Sequence, residues 1–232
     1  MNKKDLKLVI QSEMNTFLSR EGYKKSKTPA DVLSIMEKDT DEYSHSFFST
    51  AYSYDGFKVV YHYGFGINRV VNLLSRIHEQ VPLRKGPVVI PKQITGISPG
   101  LLKTPEDPFR SFQTIKTEQE LGRLLEEIKS FYQHEYTDFF SKYADIKAMD
   151  AQFNNLDSFY EKEHGVFPAL AFLSVSRLII ARLSDNRQYE EVVNRNFDLV
   201  EREWLKDGAR YDRTDENMPE VFAAKYLKDV KL

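Results

Sequence analysis

The chain has 232 residues, 41% of them hydrophobic and 29% charged, which is long enough and apolar enough to bury a substantial core. Thirty-three basic against thirty-five acidic side chains leave a formal charge of −2, with neither the basic excess nor the basic stripe usual in a nucleic-acid binder. The absence of cysteine removes disulfides, thiolate zinc sites and cysteine nucleophiles together, and fits a reducing, cytoplasmic location.

In chain order, Leu6, Val9, Ile10, Met14, Phe17 and Leu18 fall on one helical face, with Gly22 as the stop. Gln11, Ser12 and Glu13 interrupt this stretch, so it lacks the continuous apolar core of a signal peptide. Val32 to Lys38 fits either a short helix capped by Thr28-Pro29-Ala30-Asp31 or the first strand of a meander, and is read as the strand. A hairpin then spans His45 to Asn68 around Asp55-Gly56, whose two residues suit a type I′ turn.

Pairing outward from that turn sets Tyr54 opposite Phe57, Tyr52 opposite Val59, Thr50 opposite Tyr61 and Phe48 opposite Tyr63. The alternate face then carries Ser53, Lys58, Ala51, Val60, Ser49 and His62, with Phe47 beside Gly64. The first face is an aromatic wall for helices to cover. The second is small and polar, the solvent side of a half-buried sheet or a docking surface anchored by Phe47 and Arg69.

Val70, Leu73, Leu74 and Ile77 predict the next helix. Pro82 to Pro108 holds six of the nine prolines and reads as a long connection, with short edge strands at Val88–Ile90 and Phe109–Ile115. Thr117-Glu118-Gln119-Glu120 is a capping box opening a helix with Leu121, Leu124, Leu125, Ile128 and Phe131 inward. Further helices are expected at Asp145–Phe153, Pro168–Leu183, Arg187–Lys206 and Pro219–Lys228. Arg177 and Arg182 lie within the most apolar stretch, Val166 to Leu183, making it a core helix and not a membrane span. The fold class is α/β (α+β): an antiparallel or mixed sheet around the central hairpin, flanked by helices, with a mostly helical C-terminal portion. The chain is read as a single domain, divisible into 1–81, 82–116 and 117–232.

No catalytic constellation is complete. Gly96-Ile97-Ser98-Pro99-Gly100 spells the nucleophile elbow G-x-S-x-G, but Pro99 has no N–H where the oxyanion hole needs one, so it reads as a turn. Gly64-Phe65-Gly66 lacks the third glycine of a dinucleotide fingerprint, Arg69 standing there, and reads as a close approach to the sheet. His134 and Asp138 have ligand-like spacing, and Glu161 to His164 adds further donors. With no second spaced pair, both read as solvated faces, so no metal or cofactor is expected.

Leu18-Ser19-Arg20-Glu21-Gly22-Tyr23-Lys24-Lys25, followed by a meander ending Tyr63-Gly64-Phe65-Gly66-Ile67, resembles a class of uncharacterised bacterial domains with an "L-x-x-x-G-F/Y-K-K" signature. That class includes suspected immunity and accessory proteins of polymorphic toxin systems. The resemblance covers the first third of the chain. It implies a non-catalytic protein that works by binding another protein, and it carries over no site residues. The leading expectation is a cytoplasmic protein-binding module with Phe47, Ser49, Lys58, His62 and Arg69 as candidate contacts, and with neither nucleic acid nor membrane as partner. The alternatives are an enzyme using His62 with Ser49 or the Pro82–Pro108 connection, and a helical scaffold that self-associates through the C-terminal half.

Overall fold

The computed structural model of the chain describes residues 3–28, 32–53, 56–81, 94–99, 112–156, 173–206 and 211–230. They gather into two compact units, one within Met1–Gly66 and Thr95–Ser141, the other within Ile67–Ile94, Lys142–Lys162 and Ala169–Leu232. The α+β class expected from sequence is the one observed.

The first unit is built on a six-stranded antiparallel sheet: β1 (Lys24–Lys25), β2 (Val32–Asp39), β3 (Tyr43–Ser53), β4 (Phe57–Ile67), β5 (Thr95–Ile97) and β6 (Thr114–Ile115). Strands β1 to β5 lie in sequence order, and β6 also pairs with β4. Val32–Lys38 is therefore strand, as read. The sequence reading did not anticipate β1 or β5; β5 places Gly96 and Ile97 in a ladder where a turn was expected. Of Phe109–Ile115 only Thr114–Ile115 is strand among the described residues, while Val88–Ile90 lies outside them. Tyr63 faces Ile97 whereas Phe57 faces Ile115. Six steps along β4 thus move the partner by eighteen residues, so the chain between β5 and β6 is twelve residues longer than one unbroken edge strand would be.

Helix α1 (Lys3–Arg20) buries Leu6, Ile10, Met14 and Leu18 completely. Val9, expected on that stripe, is 40% exposed, because the buried positions follow a stricter fourfold spacing that leaves it outside. Gly22, at φ +86°, ends the helix as expected: Tyr23 N–H donates to Leu18 O at 3.0 Å and Gly22 N–H to Ser19 O at 3.1 Å, the paired bonds of a Schellman motif. Gln11 Nε2 donates to Leu33 O at 2.7 Å, tying α1 to β2.

Beyond the sheet, α3 (Glu118–Phe131) opens on the capping box read from sequence. Glu120 N–H donates to Thr117 Oγ1 at 3.2 Å, and Thr117 N–H donates back to Glu120 Oε2 at 2.9 Å. The backbone N–H groups of Lys116 and Thr117 hold the Glu120 carboxyl below its ordinary pKa. Leu121, Leu124, Leu125, Ile128 and Phe131 are buried, the five residues expected. The helix runs on through an unanticipated π-helical turn, Tyr132–Tyr136, into α4 (Thr137–Tyr143).

The second unit is helical: α2 (Asn68–Gln80), α5 (Ile146–Phe153), α6 (Leu173–Leu183), α7 (Tyr189–Lys206) and α8 (Pro219–Asp229). Val70, Leu73, Leu74 and Ile77 are the buried stripe of α2, as read. The Asp145 carboxylate caps α5 through Lys147 N–H and Ala148 N–H, both at 2.9 Å. Inside the unit the buried Asp150 carboxylate accepts from Asn154 Nδ2 and Asn186 Nδ2, each at 2.7 Å, which offsets its desolvation. No helix among the described residues is long and apolar enough to cross a membrane.

Gly56, at φ +123°, closes the β3–β4 hairpin where only glycine is at ease. A Cβ there would meet Thr114 Cγ2 at 2.6 Å and Ile115 O at 3.1 Å. Gly56→Ala is expected to lower stability by about 2 kcal/mol, read from the denaturant midpoint. A neutral result would mean that β6 moves aside freely.

Candidate functional site

The two faces of the hairpin differ from the expected ones. The strands end at Ser53 and resume at Phe57, so three positions separate them and not two. Phe47 lies against Tyr63 at 4.8 Å between ring centroids, and Phe48 stacks on His62 at 5.0 Å and 24°. Odd-numbered residues of both strands therefore share one face. A one-residue slip turns β3 over relative to β4, which is the correction to the expected pairing: Val59, Tyr61 and Tyr63 stay on the covered face as read, while Phe47, Ser49 and Ala51 stand there in place of Phe48, Thr50 and Tyr52.

The inner face carries His45, Phe47, Ser49 and Ala51 with Val59, Tyr61, Tyr63 and Phe65, all buried. Helix α1, α3 and the π-helical turn cover it. Tyr63 packs on Phe131, Tyr132 and Tyr136 at 6.3, 5.3 and 5.2 Å, and its hydroxyl reaches Ile128 O at 3.4 Å. Within the π-helical turn Tyr132 and Tyr136, four residues apart, both lie on the sheet, with their rings stacked at 5.6 Å. Ser34 and Ser49, partners across β2 and β3, are buried without a hydrogen-bond partner among the described residues, as is the hydroxyl of Thr95.

Burial sets the protonation of this layer. It is the largest cause of the raised pKa of Tyr23, Tyr61, Tyr63, Tyr132 and Tyr136; Tyr132 is pushed up to about 12, with the Glu21 carboxylate adding to the effect. All five stay phenols at neutral pH, so none serves as a base. His45 is held neutral, its pKa lowered from 6.5 to about 4 by burial first and Lys38 second, against a small opposing effect of Asp39. Its Nδ1 lies 2.7 Å from the Tyr136 hydroxyl, which donates to Gly64 O at 3.1 Å. A hydroxyl that gives its proton to Gly64 O meets a protonated Nδ1, and one turned toward Nδ1 meets an unprotonated nitrogen; the histidine tautomer decides between the two. Gly64 in turn faces Gly96 across β4 and β5.

This neutral histidine gives a pH signature. Unfolding restores an ordinary imidazole, so its contribution to stability is complete above pH 6.5 and is lost as pH falls from there through about 4. The loss amounts to about 2 kcal/mol after allowance for residual solvent screening. Wild type minus His45→Phe, measured by chemical denaturation at pH 7 and pH 4, isolates it; an equal difference at both pH values would reject the assignment.

The outer face carries Ser46, Phe48, Thr50 and Tyr52 with Lys58, Val60 and His62, mostly half-buried. Of the residues expected on one docking surface, Lys58 and His62 are here, beside Phe48 and Tyr52, which the two-residue turn had assigned to the core. Tyr52 is 49% exposed. Phe47 and Ser49 are fully buried on the opposite face, so Ser49 and His62 are not brought together. Ser53 is exposed at the end of β3, and Arg69 is exposed in the first turn of α2, in the second unit.

The remaining motifs resolve plainly. Ser98 follows strand β5 and is buried, and Pro99 still denies an oxyanion donor. Gly100 and Glu161 to His164 lie outside the described residues. His134 and Asp138 are exposed on the helix surface, and no cluster of three metal-ligating side chains occurs among the described residues. Nothing local in the sequence signals the His45–Tyr136 contact, which spans 91 positions. Comparison with protein-family models, with curated proteins and with solved structures finds no match to this chain.

Proposed function

We propose that this chain is a cytoplasmic protein-binding module that acts by docking and not by chemistry, its partner being a toxin or an accessory of one in a bacterial host. The observation that carries the reading is the Phe48–His62 stack on the outer face of the sheet, with half-exposed Tyr52 on the same strand. Aromatic rings with a polar edge, held in place by the ladder beneath them, are typical anchors of protein interfaces. The resemblance of the first third of the chain to immunity and accessory domains supports the identity of the partner.

Affinity capture from the native host with the full chain is expected to recover one stoichiometric protein partner. Phe48→Ala and Lys58→Glu are expected to weaken that capture at least tenfold while leaving the circular dichroism spectrum unchanged. Recovery of no partner overturns the reading, and so does undiminished capture by both variants. A toxin gene directly upstream would agree with it, whereas a metabolic operon would count against it.

A further inference from the structure

The sheet ends on β1, the first strand in its order. Lys24 faces Glu37 and Lys25 faces Met36, while Ser26 N–H donates to Ile35 O at 3.0 Å. Bonded and non-bonded pairs alternate along an antiparallel ladder, so Lys25 turns its N–H and C=O away from β2. Further along β2, the acceptor Leu33 O is closed by Gln11 Nε2 at 2.7 Å. Nothing among the described residues closes Lys25 in the same way.

The same edge is basic. Lys24, Lys25 and Lys27 stand exposed in a stretch of four residues that holds no acid, within a chain of formal charge −2. None of them has an ion pair among the described residues. Glu37, opposite Lys24, instead accepts from the Ser26 hydroxyl. The edge also continues into the outer face. Ile35 is the cross-strand partner of Phe48, which stacks on His62, so Ser26, Ile35, Phe48 and His62 form one row across the sheet. Two strand spacings, about 10 Å, separate β1 from Phe48.

We infer that the β1 edge takes an acidic, extended segment of the protein partner as a further strand, which rests on the reading of the chain as a binding module. Lys25 N–H and C=O provide the main-chain bonds by which a strand joins a sheet edge. Lys24 and Lys25 lie on opposite faces of the sheet, so adjacent carboxylates of the segment meet one each. An antiparallel match to Lys24-Lys25-Ser26-Lys27 reads acid, apolar, acid, acid, with the apolar residue beside Ser26 in the row that leads to Phe48. Lysine on a short edge strand also serves to keep edges apart, and experiment separates the two uses.

The probe is the synthetic peptide Thr-Glu-Val-Glu-Glu-Thr with a fluorescent label. One control replaces each Glu by Gln. The other is N-methylated at the alternate residues that face the edge, which removes its donors. Titrated into the full chain and followed by anisotropy, the acidic peptide is expected to bind about tenfold more tightly than either control. Hydrogen exchange at the Lys25 amide slows with the acidic peptide alone. Proline is tolerated where an edge N–H faces solvent, so Lys25→Pro keeps the circular dichroism spectrum and loses the binding. Lys24→Gln with Lys27→Gln leaves the backbone edge intact and abolishes the preference for Glu over Gln.

Equal binding of the acidic and Gln peptides overturns the inference. Equal binding of the N-methylated peptide does too, because the attraction is then charge without a strand. Tighter binding of a single-stranded oligonucleotide of the same charge rejects a protein occupant, and a solution dimer abolished by Lys25→Pro makes the occupant a second copy. Self-association that appears only in Lys24→Gln with Lys27→Gln, while wild type binds no acidic peptide, assigns the lysines to guarding the edge. Capture of a native partner that is lost in Phe48→Ala but intact in Lys25→Pro leaves the module reading standing and the edge rejected. Failure to capture any partner removes the module reading, and the peptides then decide the edge alone.

Discussion

Tyr63→Ala is expected to lower stability by about 4 kcal/mol, whereas Tyr63→Phe should cost under about 1 kcal/mol. Tyr63 is fully buried at the centre of β4, and its ring touches Phe47 from the neighbouring strand and three aromatic side chains from the helix above. Truncation to alanine removes the transfer energy of a whole ring and opens a cavity that rigid strand and helix backbones cannot close. The hydroxyl contributes far less, because its bond to Ile128 O is long at 3.4 Å. Urea or guanidinium unfolding of the two variants measures the difference. If alanine costs no more than phenylalanine, the ring is not central to the core and the hairpin register assigned from it is wrong.

What could be read from sequence divides along the range of the interactions. Helix α3 was legible to the residue, since its cap is local and its apolar spacing admits one inward face. Gly22 and the α2 stripe were legible for the same reason. The hairpin and the covered face of β4 were legible, but the face of β3 was not, because Phe47 and Phe48 place aromatic rings on both its faces and composition does not choose between them. The choice then fell to the turn, where Asp55-Gly56 suggests two residues and the strand ends leave three. The deciding contacts come from Phe131, Tyr132 and Tyr136, about seventy positions away, and no local pattern reports them. The π-helical turn that delivers two of those rings has no sequence signature that we recognise.

Tyr136→Phe is expected to lower stability by about 3 kcal/mol although it removes a single oxygen atom. That hydroxyl lies 2.7 Å from His45 Nδ1 and 3.1 Å from Gly64 O, all within a buried layer. Its loss leaves a buried imidazole nitrogen without that partner, among the rings of Tyr43, Phe65 and Phe140 at 6.3, 6.4 and 4.7 Å. It also strips Gly64 of a donor at the point where β4 faces β5. A buried donor without a partner costs more than the bond it once made, so the loss exceeds that of a typical hydrogen bond. A protonated Nδ1 in wild type gives a slowly exchanging, resolved imidazole N–H resonance that Tyr136→Phe loses, so this resonance reads the tautomer. A double-mutant cycle with His45→Phe separates the two halves of the effect. With the imidazole gone, Tyr136→Phe should cost about 1–2 kcal/mol less than in wild type, the coupling expected of groups in one network. Strict additivity would show that His45 and Tyr136 are neighbours without being partners, and that the neutral histidine is held by burial alone.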